Sequence, residues 1–163
     1  MNILVADDDR VLSQLLCAVV REAGHVPIPA YDSMQTVMFA MRQPAPAVII
    51  LDINMPGGSG LDALRKLKLS ARTSPIPVIV LSGSTEQNIS DQVKTLGARE
   101  FLSKPIDPET LVRAVRRALG SRGAASPWWR KRCAAWRTSR ERRQARSPSS
   151  PLAARPPWRR RAS

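Results

Sequence analysis

The stretch Ala47-Val48-Ile49-Ile50-Leu51-Asp52 constrains this chain more than any other. Five apolar residues run without a polar break and end on a carboxylate. A run this short and this rich in β-branched residues reads as a strand buried on both faces, the character of a central strand in a parallel sheet. Turn formers flank it: Pro44 and Pro46 before, and Met55-Pro56-Gly57-Gly58-Ser59-Gly60 after. Asp52 therefore stands where a central strand stops and a loop begins. In open α/β sheets, ligands bind in the crevice at the carboxyl ends of the strands. A carboxylate at that place is poised for chemistry.

The rest of the chain alternates strand and helix signals around this run. Ile3-Leu4-Val5-Ala6 is a short apolar strand ending on Asp7-Asp8-Asp9. The first helix runs from about Arg10 to Ala23. Val11, Leu15 and Val19, with Leu12, Leu16 and Val20, recur at the spacing of one buried face. Gly24 follows as a stop that takes positive φ. Val26 to Ala30 is the second strand, and Pro27 and Pro29 confine it to a sheet edge because proline cannot donate to a ladder. Asp32 and Ser33 can cap the second helix, which runs to about Arg42. The third helix covers Leu61 to Leu69. Val78-Ile79-Val80-Leu81 is a second buried run ending on Ser82. The fourth helix spans about Glu86 to Leu96, with Ile89, Val93 and Leu96 inward. Glu100 to Ser103 is a fifth strand leading into Lys104-Pro105. Asp107-Pro108 opens the fifth helix, which buries Leu111, Val112, Val115 and Leu119 before Gly120 ends it.

Five strands alternating with five helices over about 120 residues predict an α/β fold with helices on both faces of a parallel sheet. The edge position of the second strand fits the doubly wound, flavodoxin-like order 2-1-3-4-5.

That order brings four polar strand ends to one rim: Asp7, Asp8 and Asp9, then Asp52, Ser82 and Lys104. Carboxylates so clustered repel one another and call for a cation. Oxygen ligands without His or Cys favour a hard ion, and Mg2+ fits. A carboxylate beside a metal, a hydroxyl and a lysine makes a phosphoryl site. The metal and Lys104 would neutralise phosphoryl oxygens, and Ser82 would donate a hydrogen bond. Asp52 would be the nucleophile.

At these residues the sequence resembles the receiver domain of two-component response regulators, of the chemotaxis-regulator kind. The matching residues are Asp7-Asp8, Leu51-Asp52-Ile53-Asn54-Met55-Pro56 with Gly60, Ser82-Gly83 and Lys104-Pro105, all within residues 1–120. The resemblance implies that Asp52 is the phosphoacceptor. It implies that Asp8 and Asp52 bind Mg2+ directly with the backbone carbonyl of Asn54, while Asp7 acts through water. Ser82 takes the position of the switch hydroxyl, and Lys104 that of the phosphate-pairing lysine, whose bond to Pro105 is cis in the family. Phe101 takes the switch aromatic position without the hydroxyl of the tyrosine often found there. The implied donor is a sensor histidine kinase or a phosphotransfer protein. The implied output is a partner protein docking on the face of the fourth helix, fifth strand and fifth helix. Such a chain is a signalling phosphoacceptor, catalysing only its own phosphorylation and dephosphorylation. An aspartate-nucleophile phosphatase typically carries a second Asp two residues after the nucleophile, and Asn54 stands there instead.

Other residues have plainer readings. Asp9 reads as a helix cap, His25 as surface filler, and Cys17 as small apolar filler. Met34, Met38 and Met41 lie at helical spacing and read as packing. Arg113, Arg116 and Arg117 read as a solvated helix face.

Charge divides the chain at residue 120. Residues 1–120 hold 13 Lys and Arg against 12 Asp and Glu, a balance of +1, whereas residues 121–163 hold 13 against one, a balance of +12. This tail contains Trp128, Trp129, Trp136 and Trp158, all the tryptophans of the chain, among Arg, Ser, Pro and Ala. High charge with few aliphatics argues for disorder. Arg interleaved with Trp is compatible with nucleic acid, with the tail as effector of a nucleic-acid-binding regulator. No helix-turn-helix pattern follows residue 120, so sequence-specific DNA binding is unsupported. The same composition is what a GC-rich gene yields out of frame. No apolar run approaches the roughly 20 residues of a membrane span, and the two cysteines, Cys17 and Cys133, make no metal or disulfide pattern. The expected setting is the cytoplasm, with no membrane partner.

Overall fold

The alternating apolar runs form five strands joined by five helices in the computed structural model, which describes residues 1–55, 59–83 and 87–120, the side chains of residues 87 and 88 excepted. The order is β1 (Asn2–Ala6), α1 (Arg10–Glu22), β2 (Val26–Ala30), α2 (Ser33–Ala40) and β3 (Val48–Asp52). It continues with α3 (Gly60–Leu69), β4 (Val78–Ser82), α4 (Gln87–Thr95), β5 (Glu100–Ser103) and α5 (Pro108–Leu119). The strands make one parallel sheet in the order β2-β1-β3-β4-β5, as the sequence predicts. Residues 121–163, read as a disordered tail, lie outside the described residues. So do Pro56 of the site motif and Glu86, the expected start of the fourth helix. No helix among the described residues is long and apolar enough to cross a membrane.

Every residue of β3 and β4 is buried, because helices cover the sheet on both sides. Side chains alternate along each strand. Leu4, Ile49, Leu51, Val78 and Val80 therefore face one layer with Leu64, Leu67 and Val93 of α3 and α4. Ile3, Val5, Ile50, Ile79 and Leu81 face the other with Leu16, Val20, Leu111 and Val115 of α1 and α5. At the margin, Pro27 lies opposite Ile3 and Pro29 opposite Val5. The Val26 N–H donates to the Met1 carbonyl at 2.9 Å. Alternation then turns the N–H groups of residues 26, 28 and 30 inward, and both prolines fall on the open side.

Local chemistry starts the helices where the sequence predicts. Asp9 accepts from the Val11 and Leu12 N–H groups at 2.9 and 3.2 Å, and Asp32 accepts from Gln35 at 2.7 Å. Asp107 accepts from Thr110 at 3.0 Å, ahead of Pro108 in the first turn of α5. Gly24 follows α1 at φ 85°, the left-handed backbone that its position requires.

One expectation about helix faces holds only in part, with Leu16 and Val20 buried and Leu12 and Val19 packed against them, and another fails. Val11 and Leu15 are 77% and 48% exposed, and the inward stripe of α1 is Ser13, Leu16, Cys17 and Val20. The apolar residues of α1 cover more of its circumference than the sheet can bury, so periodicity alone does not choose the face. Met34, Met38 and Met41 are exposed at 71, 51 and 41%. The buried stripe of α2 is Ser33, Thr36 and Ala40, small residues that let the helix lie close to the sheet. The Thr36 hydroxyl is satisfied by the Asp32 carbonyl at 2.7 Å. Cys17 is buried as expected. His25 is half-buried rather than surface filler, and burial, with the N-terminal amine and Arg116 nearby, pushes its pKa below the usual histidine value.

Candidate functional site

Parallel pairing sets the carboxyl ends of β1, β3, β4 and β5 side by side. Asp52 lies opposite Leu81, and Ser82 opposite Ser103. The Lys104 N–H extends the β4–β5 ladder, donating to the Ser82 carbonyl at 2.7 Å. Lys104 thereby starts its side chain beside Ser82 and reaches back across the rim. Its Nζ lies 3.0 Å from Asp7 Oδ2 and 3.0 Å from Asp52 Oδ2. One ammonium thus ties the ends of β1, β3 and β5 together.

These charges are withdrawn from water. Asp7 is fully buried and Asp52 only 2% exposed, whereas Asp8 is exposed. Burial pushes the pKa of Asp7 above the usual carboxylate value; Lys104 pulls it down, but not enough to cancel the desolvation. Burial also works against the Lys104 ammonium, but its bonds to Asp52 and Asp7 outweigh burial and hold its pKa above the usual lysine value. Lys104 is therefore charged at neutral pH and partly neutralises two carboxylates. The other oxygen of Asp52, Oδ1, is buried and has no hydrogen-bond partner. A buried carboxylate oxygen without a partner is costly, and such an orphan marks a place for a ligand.

Asp7, Asp8 and Asp52 each offer one carboxylate oxygen, and these oxygens lie within 4.8 Å of one another. All three donors are hard oxygens, the set that Mg2+, Ca2+ or Mn2+ selects. Ligands of a small octahedral ion lie about 3–4 Å apart, so modest side-chain movement would close the cluster. The residues present therefore fit a hard divalent cation.

The remaining predicted residues sit around this centre. Ser82 ends β4 and is buried. Asn54 lies two residues beyond β3 and is exposed. Phe101 lies opposite Val80 in β5, half-buried against the α2–α3–α4 layer. The Lys104–Pro105 peptide is cis, as the resemblance implies.

Two positioning features escape a reading of the sequence pattern. A Cβ on Gly60 would stand 2.1 Å from the Asp52 carbonyl oxygen and 2.7 Å from Ile53 Cα. Only glycine lets the start of α3 press on the end of β3, where the Gly60 N–H donates to the Ile53 carbonyl at 2.8 Å. A close approach between elements far apart in angle leaves no mark in periodicity. The second feature is the Asp9 N–H, which donates to Asp7 Oδ1 at 2.9 Å. This is an Asx turn, and an aspartate at a strand end followed by a turn is its visible signal.

Comparison with known proteins gives a consistent picture. Residues 3–116 match the family model described as the response regulator receiver domain. The protein PilH of Pseudomonas aeruginosa is 37% identical over 118 residues, which are 72% of this chain and 97% of that protein. The phosphate regulon transcriptional regulatory protein PhoB of Klebsiella pneumoniae is 34% identical over 117 residues, 71% of this chain but only 50% of PhoB. The chemotaxis protein CheY4 of Vibrio cholerae has a similar structure, with a TM-score of 0.67 at 28% identity, covering 72% of this chain and 98% of that one. The receiver domain of a sensor histidine kinase from Pseudomonas aeruginosa, solved with a magnesium ion coordinated in the active site cleft, gives a TM-score of 0.68 at 27% identity, covering 74% of this chain and 98% of that one.

Proposed function

The chain belongs to the family of response regulator receiver domains of two-component systems, and on that premise we propose that it accepts a phosphoryl group on Asp52 from a phosphohistidine of a sensor kinase or phosphotransfer protein. The observation that carries this reading is the division of Asp52: Lys104 holds Oδ2 at 3.0 Å, while Oδ1 has no partner.

A carboxylate oxygen of Asp52 attacks phosphorus. A P–O bond forms, the P–N bond of the donor breaks, and the imidazole nitrogen leaves with the electron pair. Lys104, kept charged by its two carboxylates, pairs with the incoming phosphoryl oxygens. Ser82 donates a hydrogen bond to one of them. Asp7, Asp8 and Asp52, with the backbone carbonyl of Asn54, would hold Mg2+. When bound, the ion offsets the negative charge of the phosphoryl group. Asp7, anchored by the Asp9 N–H, fixes Lys104 from the far side. Because Asp52 is only 2% exposed, a donor reaches it only as neighbouring side chains yield.

Phosphorylation adds about 1.5 to 2 negative charges at this point. Ser82 is drawn toward them, Phe101 refills the space by packing alone, and the α4–β5–α5 face changes shape for a partner protein. The chain works in the cytoplasm and turns over no substrate beyond its own aspartyl phosphate. Treatment with acetyl phosphate and Mg2+ should add one phosphoryl group, read by intact mass and released by hydroxylamine. Asp52→Asn should gain none while keeping the wild-type circular dichroism. A folded Asp52→Asn protein that still takes the label would overturn the assignment.

A further inference from the structure

Helix α2 carries no charged residue from Ser33 to Ala40. Met34 and Met38 on it and Met41 just past its end recur at i, i+4 and i+7, exposed at 71, 51 and 41%. This is the spacing of an apolar stripe that another helix reads. Unbranched methionine is suited to adaptable contact and favours aromatic partners. Exposed apolar surface in a contiguous row marks an interaction site.

The chain itself supplies a matching segment. Beyond Gly120 the sequence continues for 43 residues and holds every tryptophan of the protein. Trp129, Cys133 and Trp136 recur there at the same i, i+4 and i+7 spacing, with Arg130, Lys131, Arg132 and Arg137 between and beside them. The geometry of the exit favours contact. In a parallel sheet each connecting helix runs back along the strands, so α2 and α5 end at the same end of the sheet, away from the acidic rim. The two helices lie on opposite faces, α2 over β1 and β2 and α5 over β3, β4 and β5, so a layer spacing of about 10 Å and an offset of about two strands set them about 25 Å apart. Eight residues lie between Gly120 and Trp129, and the nine extended steps from one to the other reach about 30 Å. A tether this short raises the local concentration of the segment to about the millimolar range.

We propose that the segment around Trp129, Cys133 and Trp136 docks on the outer face of α2, covering Met34, Met38 and Met41. The occupant is the protein's own tail rather than a second copy, because the tail brings the complementary spacing and the aromatic side chains at no diffusional cost.

The tryptophans make the test clean, since residues 1–120 contain none. The full chain should show tryptophan emission shifted to the blue of a peptide of residues 121–163, with reduced quenching by acrylamide. The double variant Met34→Gln/Met38→Gln should lose that shift and regain the quenching, whereas Met38→Leu should keep both. All three changes fall on exposed positions, and circular dichroism checks that the fold persists. Emission identical to that of the peptide would overturn the proposal, as would a blue shift that survives the double variant. A shift that grows with protein concentration would also overturn it and assign the stripe to a second copy.

Discussion

At the carboxyl rim, Asp7, Asp52 and Lys104 are withdrawn from water, while on α2 three methionines are left in it. Both regions invert the ordinary partition of side chains, and such inversions, unlike a buried leucine, carry information about function. The rim holds its charges by geometry: one ammonium bridges two carboxylates, with strand ends fixed by the ladder. On α2 the inversion follows from size, because Ser33, Thr36 and Ala40 occupy the inner stripe and leave the bulky residues outside. Burial of charge at the rim costs stability, a cost that the proposed phosphoacceptor role would explain. Exposure on α2 costs the fold little, so its residues are free to serve contact.

The contrast can be broken most severely at Gly60. Gly60→Ala drives a methyl group into the Asp52 carbonyl and should cost about 4 kcal/mol, or prevent folding. Urea unfolding measures this, and a loss under about 1 kcal/mol would mean that α3 can retreat from the site. Next comes Lys104→Met, which leaves Asp7 and Asp52 facing each other without a cation. It should cost about 3 kcal/mol at neutral pH with chelator present.

Asp7→Asn should act in the other direction. Burial raises the folded pKa of Asp7 above its unfolded value. The stability linked to its proton is therefore complete below the unfolded pKa and is lost as pH rises through the folded one. At neutral pH the charged side chain is a burden, and the neutral amide should stabilise the metal-free protein by about 1 kcal/mol. The gain should shrink as the solution is acidified toward the ordinary carboxylate range. A destabilised Asp7→Asn at neutral pH would show that the link to Lys104 outweighs desolvation. The smallest effect belongs to α2: Met38→Gln should move the urea midpoint by less than the equivalent of about 0.5 kcal/mol. A larger loss would mean that Met38 is covered, by the core or by the docked tail, and would sharpen or dissolve the contrast accordingly.

Much of the fold and of the rim is legible in the sequence, for identifiable reasons. The runs at Val48–Asp52 and Val78–Ser82 are short, rich in β-branched residues and flanked by turn formers, so they read as central strands, and their polar ends followed directly. Pro27 and Pro29 announced an edge. Asp9, Asp32 and Asp107 announced helix starts. The face of α2 was not legible, and that of α1 only in part. Leu and Val span about half the circumference of α1, and the buried face lies at one edge of that arc beside Ser13 and Cys17; α2 has no charged side to oppose an apolar one, so neither pattern fixes the inward face. The pressure of Gly60 on the end of β3 was hidden for another reason: it joins segments through backbone contact, which side-chain patterns do not record.

The proline pair on β2 has a consequence beyond marking the margin. With the N–H groups of residues 26, 28 and 30 turned toward β1, the outer side of that strand offers carbonyl oxygens and not one hydrogen to share. A stray strand from another molecule would find only half of the bonds it needs. Crowding these molecules together should therefore not lengthen the sheet from that side, and runaway fibre growth would have to begin elsewhere on the protein.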